Sequence, residues 1–123
     1  MSCMYERIQE KEIMSDLTDY QMQSRATAIY PAAYKVVYPA LGLAGETGEV
    51  LDKIKKRIRD ANANFIDKEF LESIEKELGD VLWYIANLAT DLDLDLHEIA
   101  LKNLLKLARR QEEGKLSGSG DNR

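Results

Sequence analysis

The apolar residues of segment 68–92, KEFLESIEKELGDVLWYIANLATDL, recur at helical intervals, and this pattern constrains the fold more than any other feature. The segment is long enough for about seven helical turns. Asp67, directly before it, suits an N-cap because its carboxylate can accept a hydrogen bond from the first turn. The pattern predicts a long amphipathic helix that is the most buried element. Its apolar positions are Leu71, Ile74, Leu78, Val81, Leu82, Ile85, Leu88 and Leu92.

Two helices are predicted before this segment. Thr18 and Gln21 form a capping-box pattern, which predicts a helix from Thr18 to about Ile29, where a Tyr-Pro pair follows. Pro39 suits the first position of a second helix over 39–61, because a proline there loses no intrahelical hydrogen bond. The apolar stripe of the second helix is Leu41, Ala44, Leu51, Ile54 and Ile58.

A last helix completes the domain. Asp95 with Glu98 predicts its start, and Gly114 suits the position just after its end. Short connections favour antiparallel neighbours, so we expect an all-α protein, a compact antiparallel four-helix bundle over residues 17–114. Residues 1–16 form an extension in which 4–14 can make a short helix, and the Gly- and Ser-rich residues 115–123 are expected to be a flexible tail.

Composition excludes several classes of function. The net charge of −5 and the lack of a basic stripe argue against a nucleic-acid partner. The first residues show neither an apolar leader pattern nor an arginine-rich transit pattern, and no run of about 18 apolar residues occurs, so we expect a cytoplasmic protein with no membrane partner. The single cysteine, Cys3, excludes an intramolecular disulfide and suits a reducing compartment.

Four carboxylates form two pairs with the same spacing. Glu46 and Glu49 are three residues apart in the second helix, and Glu77 and Asp80 are three apart in the third. Each pair therefore lies on one face of its helix. The second pair stands among Leu and Val residues, where burying bare carboxylates would cost roughly several kcal/mol each. A counter-cation is required, which is either a Lys or Arg side chain or a divalent metal ion.

The chemistry of the ligands selects the metal. The sole histidine, His97, belongs to the first turn of the last helix, where we expect a surface residue. Four carboxylates without His or Cys form a hard-oxygen set, which is typical of Mg²⁺ and also accepts Mn²⁺.

Glycines inside a helix are unfavourable, so those near the acids are predicted to mark a close helix approach or an entry for a ligand. These glycines are Gly42, Gly45, Gly48 and Gly79.

The segments YPALGLAGETGEVLDKIKK and KELGDVLWYIANLA, with a following KNLLKLARR, resemble the MazG-like all-α nucleoside triphosphate pyrophosphohydrolases, a superfamily that includes the dimeric dUTPases. The resemblance covers residues 17–110. It implies hydrolysis of an NTP or dNTP to the monophosphate and pyrophosphate by water attack at the α-phosphorus, in house-cleaning or control of nucleotide pools. The chain lacks the extra helices of the dimeric dUTPases, which disfavours strict dUTP specificity.

The resemblance also implies roles for individual residues and a likeness in assembly. The ligands of Mg²⁺ would be Glu46, Glu49, Glu77 and Asp80. One glutamate of the first pair would orient or deprotonate the attacking water. Relatives assemble, so a homodimer or a dimer of dimers is implied, with the site near the interface.

Other polar and aromatic residues are candidate substrate contacts. Lys53 lies between the first two acids on a helical projection, where it can act in catalysis by reaching a phosphate or can pair with Glu49. Tyr84, one turn after Asp80, can meet a phosphate oxygen or belong to the core. The resemblance adds Asn103, Lys106 and Arg109 as candidate contacts to phosphate or sugar. Candidates for contacts to the base are Gln21, Thr27 and Trp83.

A different class of function fits the same residues. The alternative is a non-catalytic helical module that binds a nucleotide or another protein and uses its acids in structural salt bridges. Mg²⁺ would then leave the melting temperature unchanged, whereas binding to a metal site would raise it. The sequence does not identify the base of the substrate.

Overall fold

The computed structural model describes residues 14–121, which form four α-helices and two short 3-10 turns, with no β-strand in this range. The helices are α1 (Leu17–Ser24), α2 (Val37–Ala61), α3 (Lys68–Asp91) and α4 (Leu96–Glu112). The 3-10 turns, Arg25–Thr27 and Ala32–Tyr34, lie between α1 and α2. The all-α prediction with four helices is confirmed. The short helix expected over 4–14 falls on residues that lie almost entirely outside the described range.

The ends of α3 and α4 follow the predicted capping residues. The Asp67 carboxylate accepts the backbone N–H of Phe70 at 3.1 Å, and this caps α3. Asp95 caps α4 in the same way by accepting the N–H of Glu98 at 3.1 Å. Gly114 follows α4 with a φ of +66°, a left-handed conformation that glycine adopts without strain. These local signals depend only on neighbouring residues, and the sequence therefore predicted them correctly.

The start of α1 differs from the prediction. Its N-cap is Asp16, whose carboxylate accepts the N–H of Asp19 at 2.8 Å, so the capping role predicted for Thr18 is wrong. The Thr18 hydroxyl instead donates to the Asp95 carboxylate at 3.3 Å and connects α1 to the start of α4. The α-helix ends at Ser24, earlier than the expected Ile29, and continues as the 3-10 turn.

Helix α2 begins two residues before Pro39, which occupies its first turn, where a missing N–H costs no intrahelical bond. The residue before the helix, Val36, has a φ of +70°. This left-handed conformation is strained for a β-branched residue. Val36 is held there by its N–H, which donates to the Asp91 carboxylate at 2.9 Å. The end of α3 therefore fixes the start of α2.

Asp91 is the centre of a buried polar network between the helices. Its side chain is 0% exposed and lies 2.8 Å from the Arg25 guanidinium. The Tyr30 hydroxyl donates to the same carboxylate at 2.7 Å. Burial alone would raise the pKa of Asp91, but the hydrogen bonds from Val36 and Tyr30 and the charge of Arg25 outweigh it and lower this pKa.

The helices pack around α3. Helix α2 runs antiparallel to α3 along most of its length, and α1 packs against α3 and α4. Among the described residues, the buried apolar side chains are Pro39 of α2, Ala86 and Ala89 of α3, and Leu96 of α4. The stripe predicted on α2 is not in this core, because Leu41 and Leu51 are 68% and 62% exposed. The periodicity located an apolar face correctly, but within one chain that face is uncovered.

Within residues 14–121, the helices are either too short or too polar to cross a lipid bilayer.

Candidate functional site

Three carboxylates meet where α2 lies against α3. Glu46 of α2 and Glu77 and Asp80 of α3 each place one carboxylate oxygen within 4.8 Å of the others. The spacing of Glu77 and Asp80 puts both on one face of α3, and α2 brings Glu46 to that face. We call these three residues the acid cluster.

Glu49 was predicted to join the same group. The acid cluster, as the described residues form it, does not include Glu49, whose side chain is exposed one turn further along α2. It still lies near enough for its charge to raise the pKa of Glu46. The structure thus brings together three of the four predicted ligands, and the ligand role of Glu49 stays a prediction.

The electrostatics of the acid cluster are uneven. Partial burial raises the pKa of Glu46, and the neighbouring carboxylates Asp80, Glu77 and Glu49 raise it further. Glu77 has the opposite shift, because a hydrogen bond from Lys53 lowers its pKa. Within residues 14–121, no Lys or Arg makes an ion pair with Glu46 or Asp80. Among the described residues, Lys53 is therefore the one basic side chain that pairs with the acid cluster, and its partner is Glu77.

Lys53 provides that single positive charge. Its ammonium lies 2.9 Å from a carboxylate oxygen of Glu77 and 3.4 Å from the Ser73 hydroxyl. The predicted alternative partner, Glu49, is therefore wrong, and the ion pair connects α2 to α3. Projection on one helix could not show this, because the partner belongs to the neighbouring helix.

The donor set fits a small divalent cation. All three groups are carboxylates, and oxygen donors are the ligands that Mg²⁺ and Mn²⁺ prefer in proteins. Three acids with one lysine leave an excess of negative charge at one point, which a divalent ion can neutralise. Such an ion would keep open coordination positions, because three side chains do not fill an octahedral shell.

A cavity of about 390 Å³ opens over the acid cluster. It is lined by Thr27, Glu46, Asp80, Trp83 and Tyr84, and we call it the aromatic cavity. The indole N–H of Trp83 donates to the Thr27 hydroxyl at 2.8 Å, and this fixes the ring. The Trp83 and Tyr84 rings meet edge to face with centroids 5.0 Å apart. Three of the predicted substrate contacts therefore do lie beside the acids.

Gly42 allows Tyr84 to lie across α2. A Cβ atom built at Gly42 would overlap the Tyr84 ring, so a glycine is needed for this close approach. The same explanation is wrong for Gly45, Gly48 and Gly79, because a Cβ atom on any of them would meet nothing within 4 Å in this chain. Whether a ligand approaches these glycines stays a prediction.

Several residues near the site were not predicted. Burial raises the pKa of Tyr20, and the charge of Asp80 adds to this effect. Burial likewise raises the pKa of Tyr84, with contributions from Tyr38 and then from Glu46. Tyr20 and Tyr38 carry no local motif, and their place depends on how α1 and the start of α2 pack.

Gln21, a predicted contact for the base, serves the packing of α1. Its amide N–H groups donate to the Thr90 hydroxyl at 3.0 Å and the Leu94 carbonyl at 2.8 Å. Its carbonyl accepts the N–H of Leu96 at 2.7 Å. Gln21 is buried in these contacts and does not line the aromatic cavity.

The predicted contacts on α4 lie on a different surface. Asn103 and Lys106 line a separate cavity of about 340 Å³, and Lys106 lies 3.5 Å from the Asp121 carboxylate. Arg109 is exposed. None of these three residues lines the aromatic cavity. His97 is exposed in the first turn of α4, as predicted.

Comparison with known proteins places the chain in a family. Residues 39–114 match the family model described as the MazG nucleotide pyrophosphohydrolase domain, a range that includes the whole acid cluster. The chain is similar to the Gene 37 protein of Mycobacterium phage L5, with 43% identity over 110 residues that cover 85% of this chain and 96% of the phage protein. No solved structure gives a significant match. The resemblance found in the sequence is confirmed, and the chain belongs to the MazG nucleotide pyrophosphohydrolase family.

Proposed function

We propose that this protein is a Mg²⁺-dependent nucleoside triphosphate pyrophosphohydrolase, with Mn²⁺ as a substitute ion. The observation that carries this proposal is the acid cluster, three carboxylates with oxygens within 4.8 Å of one another at the mouth of a cavity with aromatic walls. The family match supports the same class of reaction. The substrate is an NTP or a dNTP, and the role is house-cleaning or control of the nucleotide pool.

The reaction needs charge neutralisation and a positioned water. A divalent ion on Glu46, Glu77 and Asp80, with Glu49 as a fourth ligand, would neutralise phosphate oxygens and lower the pKa of water. The water oxygen bonds to the α-phosphorus, and the bond from that phosphorus to the bridging oxygen breaks. Pyrophosphate leaves with the electron pair, and a glutamate of the first pair takes the proton from the water.

The aromatic cavity suits the nucleoside. Its volume of about 390 Å³ lies within the range typical of small-molecule sites. Trp83 is half-buried and held in one orientation by Thr27, so its ring can offer a stacking surface to a base. Tyr84 lines the same cavity, where its hydroxyl can meet a phosphate oxygen. Lys53, the partner of Glu77 in the acid cluster, is the candidate basic side chain for the phosphate chain.

The exposed apolar surface supports an oligomer. On α4, Leu104 and Leu105 are 64% and 60% exposed, which is an uncovered hydrophobic face. A homodimer or a dimer of dimers would cover such a face. Assembly is also the route by which Asn103, Lys106 and Arg109 could reach a site, since they lie away from the acids of their own chain.

Release of pyrophosphate tests the activity directly. Wild-type protein is incubated with a panel of canonical and damaged triphosphates and with Mg²⁺ or Mn²⁺, and pyrophosphate is distinguished from orthophosphate. Glu77→Gln and Asp80→Asn should abolish release, whereas Glu75→Gln, on an exposed position of the same helix, should retain it. If the wild-type protein releases none from any substrate with either ion, the proposal is abandoned.

A melting scan with about 10 mM Mg²⁺ separates the non-catalytic alternative. A metal site raises the melting temperature, and Glu77→Gln removes the increase. An unchanged melting temperature together with absent turnover would favour the helical interaction module, whose acids only form salt bridges.

A further inference from the structure

The only basic side chain that pairs with the acid cluster, within the described residues, is held by two groups at once. The Lys53 ammonium lies 2.9 Å from Glu77 and 3.4 Å from the Ser73 hydroxyl. The Lys53 side chain is 33% exposed and that of Glu77 is 16% exposed, so the pair is partly shielded from water. Glu77 is also one of the three residues that can hold a metal ion. The same carboxylate is therefore the partner of the Lys53 ammonium and a candidate ligand for a divalent ion.

The Lys53 ammonium and a divalent ion would compete for the Glu77 carboxylate. A divalent ion held by Glu77 would bring a second positive charge to a carboxylate that Lys53 already neutralises. Two positive centres on one carboxylate repel, and the repulsion is stronger in a partly buried site than in bulk water. An ion at the acid cluster would therefore weaken the Lys53–Glu77 ion pair and favour release of the ammonium.

The structure provides a place for the displaced side chain. Lys53 also lines a second cavity of about 330 Å³ between α2 and α3, on the side away from Trp83. Lys56, Arg57 and Ser73 line the same cavity. The four-carbon stem of lysine is flexible, so its ammonium can leave Glu77 without movement of either helix.

We propose that Lys53 is a resident counter-cation, which neutralises Glu77 in the metal-free protein and is transferred to the phosphate chain of the substrate when the metal binds. This proposal rests on the proposed function and deepens it. It makes metal and nucleotide binding cooperative, because the ammonium that the metal displaces becomes available for a phosphate oxygen. By reciprocity, the nucleotide must also tighten binding of the metal.

The variant Lys53→Met tests separately the competition of Lys53 with the metal ion and its contact with the phosphate chain. It keeps an apolar stem of similar length and removes the charge. Without nucleotide, its affinity for Mn²⁺ should rise by about three- to tenfold, because the competing cation is gone. With saturating Mn²⁺, its affinity for a triphosphate with a non-hydrolysable α,β-imido link should fall by about tenfold or more. Both affinities are measured by calorimetry.

Lys55→Met is the matched control. Lys55 lies two residues away and is 73% exposed, with Asp52 as its partner at 3.2 Å. Both variants lose one positive charge from a chain of net charge −5, so a general electrostatic effect would appear equally in both. The proposal is overturned if Lys53→Met leaves either affinity at its wild-type value or changes both only as much as the control.

A measurement on the wild-type protein avoids any dependence on folding of the variant. The labelling rate of each lysine by an amine-reactive reagent is followed by mass spectrometry. Mn²⁺ should accelerate labelling of Lys53 relative to Lys55, and the α,β-imido nucleotide should then protect it. A rate at Lys53 that does not respond to Mn²⁺ contradicts the exchange.

The outcomes also separate this proposal from the proposed function. Wild-type protein that binds neither Mn²⁺ nor the nucleotide refutes the pyrophosphohydrolase itself. Wild-type protein that binds both and hydrolyses triphosphates, but whose Lys53 behaves like Lys55, refutes only the exchange.

Discussion

At the scale of single residues, the acid cluster concentrates negative charge that the fold alone does not neutralise. Glu46 is poorly compensated, since its neighbours are Asp80, Glu77 and Glu49 and it has no basic partner within residues 14–121. Its pKa is raised, which means that the folded protein binds this proton more tightly than the unfolded chain. Raising the pH through that pKa therefore removes stability.

Glu46→Gln should for this reason melt at a higher temperature than the wild-type protein at neutral pH without metal. The difference should shrink as the pH falls below the raised pKa of Glu46, because the wild-type carboxyl group is then also neutral. Calorimetric melting across pH checks this. Glu75→Gln, which removes an exposed charge from α3, should show no such convergence. With Mg²⁺ present, Glu46→Gln should lose the stabilisation that the ion gives.

Some site residues could be placed from their spacing within one helix, whereas others depend on how two helices pack against each other. Glu77 and Asp80 could be placed on one face from their spacing, and the family resemblance linked them to Glu46. The Lys53–Glu77 pair could not be predicted from periodicity, because it depends on the register of α2 against α3. Gln21 shows the same limit, since its partners Thr90 and Leu94 lie far along the chain.

At the scale of the helices, a boundary could be predicted where a single capping residue determines it. Asp67, Asp95 and Gly114 act through bonds to residues within one turn, and all three were predicted. The start of α1 was wrong because Asp16 and Thr18 are both good capping residues, and the Thr18 hydroxyl is used instead in the contact with Asp95. The contact of α2 with α3 at Gly42 also required the structure.

The glycines of α2 give a matched pair of variants. Gly42→Ala should destabilise the protein by about 1–3 kcal/mol, because its Cβ atom would overlap the Tyr84 ring. Gly45→Ala should stabilise it by up to about 1 kcal/mol, since the added Cβ atom meets nothing and alanine favours the helix. Unfolding in urea measures both. A Gly42→Ala protein as stable as Gly45→Ala would show that Tyr84 does not lie against α2.

At the scale of the whole molecule, the main feature is the amount of apolar surface that is exposed to solvent. The buried apolar core includes Ala86, Ala89 and Leu96, while most of the large aliphatic residues on α2 and α4 are open to solvent. Sequence periodicity identified these faces correctly but not what covers them, since a stripe looks the same whether it meets its own chain or another.

The α4 face gives the test of assembly. Wild-type protein should elute as a dimer or a larger oligomer in light-scattering chromatography. Leu104→Glu should shift it toward the monomer while the helical circular dichroism is retained, because the residue is 64% exposed in one chain and its burial would require a partner. Gln111→Glu, exposed on the same helix, is the control. A wild-type monomer at micromolar concentration would contradict the prediction.

The bond between Val36 and Asp91 has a mechanical consequence for the choice of ion. It joins the beginning of α2 to the end of α3, while residues 62–67 join their other ends covalently. Because α2 and α3 are connected at both ends, they resist sliding past each other. The distance between the backbones that carry Glu46 and Glu77 is therefore fixed before an ion binds. A change of ionic radius, such as Ca²⁺ in place of Mg²⁺, must then be absorbed by rotation of the carboxylate side chains alone.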